Sequence, residues 1–285
     1  MQKSRLGYIY SLLSVLIMSI TPILNKLVVG NYSPLVTVFY FSLASTIFTG
    51  IGLTKNSSFT VNHRIIEISI INTSGVIAQF FSLSLLSAAT FAFIGRFYII
   101  FAVLLASFIL KERLRKNDIW AIVISVMGSL FVSGSNPNFN NFIGILLALL
   151  YTFLFALASN LTKQQLNHTK QNVINFYNQL TATILTGLLS FITEQSFYIG
   201  YLDLGFIMLS ALASGVIGMA FYYKGMAVLN MAKVGIVRSL SPVVILFYSV
   251  LIFHTKINTQ LIVGGLLILV SIVVMNFQPK NKRKG

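Results

Sequence analysis

The chain has 285 residues, of which 56% are hydrophobic and only 9% are charged, and its formal net charge is +15. A water-soluble domain carries charge on roughly 25% of its residues, so this chain lacks the polar surface that a globular fold in water needs. The basic excess does not predict nucleic-acid binding, because the lysines and arginines lie in short loops between apolar runs. The chain has no cysteine and its three histidines are scattered, so we expect no metal site and no cofactor.

Apolar runs long enough to cross a bilayer follow one another along the whole chain. A crossing helix needs about 20 residues, and runs that are continuously apolar favour helices over barrel strands. The predicted segments, numbered one to ten in chain order, are residues 6–29, 33–53, 65–86, 89–110, 118–134, 141–161, 172–192, 203–227, 233–253 and 258–277. The weakest divisions are at 87–89 and at 229–231. The sequence therefore predicts an all-α integral membrane protein with ten transmembrane helices.

The distribution of basic residues predicts the orientation of these segments. With the N-terminus inside, sixteen lysines and arginines lie on the cytoplasmic side and only Lys26 and Lys256 lie outside, with Arg96 and Arg238 left within segments. Short cytoplasmic loops carry such a basic excess. We therefore expect a multi-pass protein of the cell membrane with both termini cytoplasmic, ending in a basic cytoplasmic tail at 279–285.

The second half of the chain repeats features of the first. In the same order and at nearly constant spacing, residues 74–77 match 214–217, Lys26 matches Lys163, and Arg96 matches Arg238. Five helices per half is an odd number, so the two halves must have opposite orientations in the membrane. We predict two inverted five-helix repeats, at 1–135 and 136–278, a construction common in secondary transporters.

Two motifs resemble those of a known family. The stretch from Arg96 to Lys111-Glu112-Arg113-Leu114 resembles the fourth-helix signature of EamA-type transporters of the drug/metabolite transporter superfamily, and residues 238–243, with Pro242, resemble the second repeat. Thr255 stands where the second repeat would have a glutamate, and Ile99 where the first would have a proline. The resemblance implies a basket of ten helices in which segments one, three, four, six, eight and nine surround a central cavity.

Arginines within apolar segments are the first candidates for a site. A charge inside a membrane is costly and usually faces the interior of the helix bundle. Arg96 lies about seven residues, or roughly 10 Å, into segment four, and Arg238 lies about five residues into segment nine. We expect each to bind a carboxylate or phosphate of a substrate. The alternative is that each extends to the membrane interface or binds backbone carbonyls.

Polar and small residues on two helix faces are further candidates. Segment three presents Asn72, Gly75, Gln79 and Ser82 on one face, and segment eight presents Ala211, Gly215, Gly218, Tyr222 and Gly225. These faces are either close helix contacts or cavity walls. In the second case Gln79 and Tyr222 join Arg96 and Arg238 as substrate-binding residues. Glu112 forms either a conformation-dependent salt bridge or a solvated loop charge, and Pro242 makes either a hinge or a static kink.

The function predicted from these features is secondary transport. No phosphate-binding loop is present, so ATP does not power the chain directly. No carboxylate lies near the middle of a segment, which favours facilitated diffusion or exchange over a proton relay. The resemblance to EamA-type transporters implies export or facilitated movement of a small metabolite such as an amino acid, and the inverted repeat favours alternating access. The alternatives are a membrane-embedded enzyme and a receptor or assembly subunit. The expected partners are the substrate and the lipid bilayer, and a homodimer is left open.

Overall fold

The computed structural model describes residues 2–21, 24, 28, 31–51, 53, 62–86, 94–95, 97–132, 142–253 and 259–276. Within these ranges the regular structure is entirely helical, which confirms the all-α prediction. The first half contains α1 (Gln2–Met18), α2 (Pro34–Ile51), α3 (His63–Leu85), α4 (Phe97–Ile109) and α5 (Lys116–Val132). The second half contains α6 (Phe142–Gln165), α7 (Gln171–Ile192), α8 (Tyr201–Ser210), a π-helix (Ala211–Gly218), α9 (Met219–Val228), α10 (Met231–Arg238), α11 (Ser241–Phe253) and α12 (Thr259–Asn276).

Three helical stretches are long and apolar enough to cross a membrane by themselves, namely Pro34–Ile51, Phe142–Gln165 and the continuous run Tyr201–Val228. Shorter apolar helices accompany them within the described residues. The predicted number of ten spans therefore remains a prediction, while the apolar helical character of the chain is established. The predicted division at 87–89 and the tail at 279–285 lie outside the described residues.

The helices of the two halves interleave. In the first half, α1 packs along α9, α2 along α7, α3 along α6, and α5 along α12. A Cβ atom on Gly128 of α5 would lie 2.8 Å from the carbonyl oxygen of Gly264 in α12, so that pair approaches closely. The contact of α1 (segment one) with α9 (part of segment eight) corresponds to the contact of α6 (segment six) with α3 (segment three). This exchange of contacts brings the two halves together around a cavity.

Segment eight is not a regular α-helix throughout. Its middle turns, Ala211–Gly218, are π-helical, and the Nδ2 group of Asn175 on α7 donates a hydrogen bond to the carbonyl oxygen of Gly215 at 2.7 Å. Continuous π-helix is rare and occurs mainly at functional sites. The wider turns rotate the residues that follow, including Tyr222 of α9, relative to the residues that precede them.

Segment nine, predicted at 233–253 with a hinge or a kink at Pro242, consists of two helices. The chain breaks after Arg238, and α11 begins at Ser241 with Pro242 as its second residue. Proline is tolerated in the first turn of a helix because the N–H groups there have no partner in the helix. The division predicted at 229–231 is confirmed, since α9 ends at Val228 and the Asn230 side chain caps α10 by accepting from the Lys233 N–H.

Candidate functional site

A cavity of about 330 Å³ lies between the two halves. Its volume is in the range of small-molecule sites, about 300–1,000 Å³. Side chains from α1, α3, α4, α6, α9, α10 and α11 line it, together with Gly95 and with Ser239 in the break after α10. The lining residues are Met18, Asn72, Gln79, Gly95, Tyr98, Ile99, Tyr151, Phe155, Ser159, Met219, Tyr222, Arg238, Ser239 and Ser241.

Among the described residues that line this cavity, the charged one is Arg238, the last residue of α10. Its guanidinium carbon lies 4.5 Å from the centre of the Tyr222 ring and 5.7 Å from that of Tyr98. A cation over an aromatic face is stabilised by about 0.5–2 kcal/mol, and the position at a helix C-terminus adds a favourable interaction with the helix dipole. The rings therefore hold the guanidinium at the cavity wall, with its remaining edge available to a ligand.

Three hydroxyl groups meet beside the arginine. The Tyr98 and Tyr222 hydroxyl oxygens are 2.8 Å apart, and they lie 3.1 and 3.4 Å from Oγ of Ser159. These residues come from α4, α9 and α6, so the cluster joins three helices at one point. It also leaves hydroxyl oxygens at the cavity surface, where they can donate to or accept from a polar ligand.

The side-chain carboxylates of the chain all lie among the described residues and are all engaged or exposed away from the cavity. Glu67 pairs with His63, Glu112 with Lys163 and Asp118 with Arg115, Asp203 accepts from Tyr32, and Glu194 is exposed after α7. The hydrogen bond with Asp118 raises the pKa of the Arg115 guanidinium, which stabilises that pair outside the spans. Arg238 has no carboxylate within 4.0 Å. The cavity thus presents a cation without a countercharge, which is suited to an anionic group.

Of the four residues predicted to bind substrate, Gln79, Tyr222 and Arg238 line this single cavity. Arg96 lies outside the described residues, although Gly95 and Tyr98 on either side of it line the same cavity. Their role in binding remains a prediction.

The predicted faces of segments three and eight divide their roles between cavity and packing. Asn72 and Gln79 line the cavity, whereas a Cβ atom on Gly75 would lie 2.9 Å from the Phe155 ring. Likewise Tyr222 faces the cavity, and Gly225 approaches α1 so closely that a Cβ atom would collide with Oγ of Ser11. On each helix, some of these residues therefore line the cavity and others form close helix contacts.

Sequence reasoning missed Tyr98 and Ser159. Ser159 and Asn160 form an adjacent polar pair within the otherwise apolar run of segment six, and Tyr98 follows Arg96 by two positions. The polar pair gave no clear signal, because it lies at the end of segment six, where the apolar run stops. Asn160 finds its partners in the carbonyl oxygens of Ala102 and Ala156.

Glu112 forms a salt bridge that joins the two halves. Its Oε1 atom lies 2.5 Å from Nζ of Lys163 at the end of α6, and its Oε2 atom accepts from the Met231 N–H, 2.8 Å away, at the start of α10. Lys163 also donates to the Leu229 carbonyl oxygen. Both side chains are largely buried, at 17% and 15% exposure. We call these four residues the end clamp. In this conformation Glu112 is therefore not a solvated loop charge.

An apolar helical fold in two interleaved halves around a cavity with an unneutralised cation is the architecture of a membrane transporter. The chain matches the EamA-like transporter family over residues 5–134 and 142–277, one match for each half, and it belongs to that family. The family is of the drug/metabolite transporter type, and its members are transporters rather than enzymes.

Solved structures support the fold independently. A structure titled only "Crystal structure of protein" aligns with a TM-score of 0.85 at 16% sequence identity, covering 95% of this chain and 96% of its own. At this identity the similarity establishes the fold alone. None of the curated proteins matches the chain.

Proposed function

We propose that this transporter moves a small metabolite bearing a carboxylate or phosphate, such as an amino acid, across the cytoplasmic membrane. The observation that carries the proposal is Arg238, a cation in the central cavity with no carboxylate near it. A charge kept in a poorly hydrated cavity is costly, and a bound anion offsets that cost. Arg238 then binds the anionic group, with the hydroxyl cluster of Tyr98, Tyr222 and Ser159 beside it.

The other residues that line the cavity account for the rest of the substrate. Asn72 and Gln79 of α3 provide amide donors and acceptors, while Met18, Phe155 and Met219 provide apolar surface. A ligand with an anionic group at one end and a polar or apolar remainder matches this division. The fork of the guanidinium favours a planar carboxylate or a phosphate that can accept two hydrogen bonds.

We further propose that transport proceeds by alternating access and that the end clamp holds one end of the cavity closed. The clamp lies at the end that the basic loops predict to be cytoplasmic, and it links the first half to the break between α9 and α10. Opening that end requires Glu112 to leave both Lys163 and the Met231 N–H. At the related position of the second half the sequence has Thr255, outside the described residues, so we expect a weaker closure at the other end.

Counterflow in liposomes tests the proposal. Purified protein in vesicles loaded with an unlabelled compound is given the same compound in labelled form, across a panel of amino acids, nucleosides and vitamins. We expect saturable accumulation of at least one compound with a carboxylate or phosphate. Its neutral amide or its dephosphorylated analogue should not accumulate. Accumulation of neutral compounds alone would contradict the anion site. A membrane enzyme or receptor would show no counterflow with any compound.

A further inference from the structure

A second cavity, of about 260 Å³, lies apart from the central one and shares none of its lining residues. It is a groove between the end of α2, the start of α7 and the run from the π-helix into α9. We call it the side groove. It is lined by Phe48, Thr49, Gln171, Asn172, Asn175, Val216, Ile217, Ala220, Phe221 and Lys224.

The side groove is polar at one end and apolar at the other. Lys224, Gln171 and Asn172 form the polar end, while Ile217 and Phe48 belong to the apolar wall. Ile217 is 41% exposed, so the apolar part is open to the surface of the protein. Seven helical positions separate Ile217 from Lys224, about 10 Å at 1.5 Å per residue. Such a groove passes from the depth of lipid headgroups into the depth of acyl chains.

The polar end is positively charged. Lys224 has an exposed ammonium group that lies 5.7 Å from the Tyr10 ring and 5.6 Å from the Phe221 ring. Every side-chain carboxylate of the chain lies among the described residues, and none is within 4.0 Å of Lys224. The adjoining N-terminus of α7 has no side-chain cap, since Lys170 at the cap position makes no such bond, and the positive end of its dipole favours a phosphate.

A buried acceptor completes the polar end. Asn175 is only 3% exposed, and while its Nδ2 group donates to the Gly215 carbonyl oxygen, its Oδ1 atom has no hydrogen-bond partner among the described residues. A buried acceptor without a donor is destabilising. A hydroxyl donor from the headgroup of a ligand in the side groove satisfies it.

We infer that the side groove binds one anionic phospholipid, with its phosphate at Lys224 and the start of α7, a hydroxyl of its headgroup at Asn175, and an acyl chain along Phe48 and Ile217. A water-soluble phosphate compound fits the polar end only and leaves the apolar wall uncovered. The bound lipid would contact α9, and the other face of α9 presents Met219 and Tyr222 to the central cavity. The inference rests on membership of a membrane transporter family and not on the substrate proposed for the cavity.

Native mass spectrometry of the delipidated protein in detergent, with phosphatidylglycerol or phosphatidylcholine added, tests this site. We expect one phosphatidylglycerol to bind in preference to phosphatidylcholine, and Lys224→Ala to weaken that binding about fivefold, because a lysine near anionic lipid contributes about 1 kcal/mol. Lys116→Ala, which removes an exposed lysine at the start of α5, is the matched control and should leave binding unchanged. Ala220→Phe should reduce lipid binding by filling the apolar part while Lys224 remains.

Three results would overturn the inference. The first is equal retention of phosphatidylglycerol by the wild type and Lys224→Ala. The second is an equal loss in Lys116→Ala, which would indicate attraction to the whole basic surface. The third is a rise in melting temperature with inorganic phosphate as large as with phosphatidylglycerol, which would indicate an anion site without a lipid. No substrate is present in these measurements, so they succeed or fail independently of the counterflow experiment.

Discussion

Arg238 occupies the C-terminal end of a short helix, where the helix dipole favours a positive charge. The break that follows at Ser239 and Leu240 turns the chain, and it places the guanidinium on the rings of Tyr98 and Tyr222. The charged group Arg238 thus lies at a helix end, whereas most of the polar groups of the cavity lie within helices.

At this scale we predict that Arg238→Gln weakens substrate binding by about 10- to 100-fold, because a hydrogen bond to a charged group contributes about 1.5–3 kcal/mol. Arg238→Lys should bind with intermediate affinity, since lysine keeps the charge but loses the planar fork. The measurement is the half-saturating concentration for counterflow of the compound found in the panel.

Arg64→Gln, at an exposed arginine at the start of α3, is the control and should match the wild type. Unchanged affinity in Arg238→Gln, with the protein folded, would remove Arg238 from the binding site.

The residues that could be predicted from the sequence were those that are costly in a membrane. A charge such as Arg238 is conspicuous in an apolar run, and Gln79 and Tyr222 followed from the polar and small faces of their helices. Tyr98 and Ser159 could not be found this way, because tyrosine and serine are common in membrane helices that only pack together. Their role follows from three helices meeting at one point, which is a property of the tertiary fold.

Among the elements, the end clamp combines an ion pair with helix capping. Glu112 accepts from the Met231 N–H at the start of α10, where a carboxylate interacts favourably with the helix dipole, and it also pairs with Lys163. Lys111, just before it, has a left-handed backbone with φ of 53°, which turns the chain after α4 towards the clamp.

We predict that Glu112→Gln and Lys163→Met each destabilise the fold, and that the double variant loses less than the sum of the two. Each single change leaves a largely buried partner unpaired, so a coupling free energy of about 1 kcal/mol is expected between these residues. Unfolding in mixed detergent micelles measures the three free energies. Strict additivity would show that the two side chains do not stabilise each other.

The end of α7 contains a strained residue. Glu194 has φ of 52°, and the Gln195 N–H donates to the Ser190 carbonyl oxygen, a turn that usually carries glycine at the left-handed position. We predict that Glu194→Gly stabilises the protein by about 0.5–1 kcal/mol, because glycine adopts this conformation without strain. Thermal unfolding in detergent measures the change.

Thr193→Gly is the matched control one position earlier, where φ is −89° and glycine relieves nothing. That variant should be destabilised. If Glu194→Gly were destabilised to the same extent, the backbone at this turn would not be strained.

Helix existence could be predicted element by element, since long apolar runs leave few alternatives to a helix in a membrane. The π-helical turns within segment eight and the break within segment nine could not be predicted from the sequence. Ala211–Gly218 contains no proline, and its π-helical turns depend on Asn175 of another helix, while Pro242 indicated a weakened ladder but not that a new helix starts beside it. These features depend on tertiary contacts, which cannot be read from the hydropathy of the sequence.

At the scale of the molecule, the repeat and its consequences were the strongest prediction. The recurrence of residues 74–77 at 214–217 indicated two related halves, and the structure pairs segment one with eight as it pairs six with three. Hydropathy and charge could not indicate which helices touch, because every span is apolar. The orientation of the termini remains a prediction from the basic loops.

The central claim is that one cavity serves both sides of the membrane in turn. The chain has no cysteine, so Ser159→Cys introduces a single thiol into the cavity without any background. In liposomes with defined protein orientation, a membrane-impermeant thiol reagent is added outside or enclosed inside, with and without the transported compound. We predict labelling from each side and protection by the compound in both cases. Labelling from one side only, or labelling that the compound does not reduce, would contradict alternating access through this cavity.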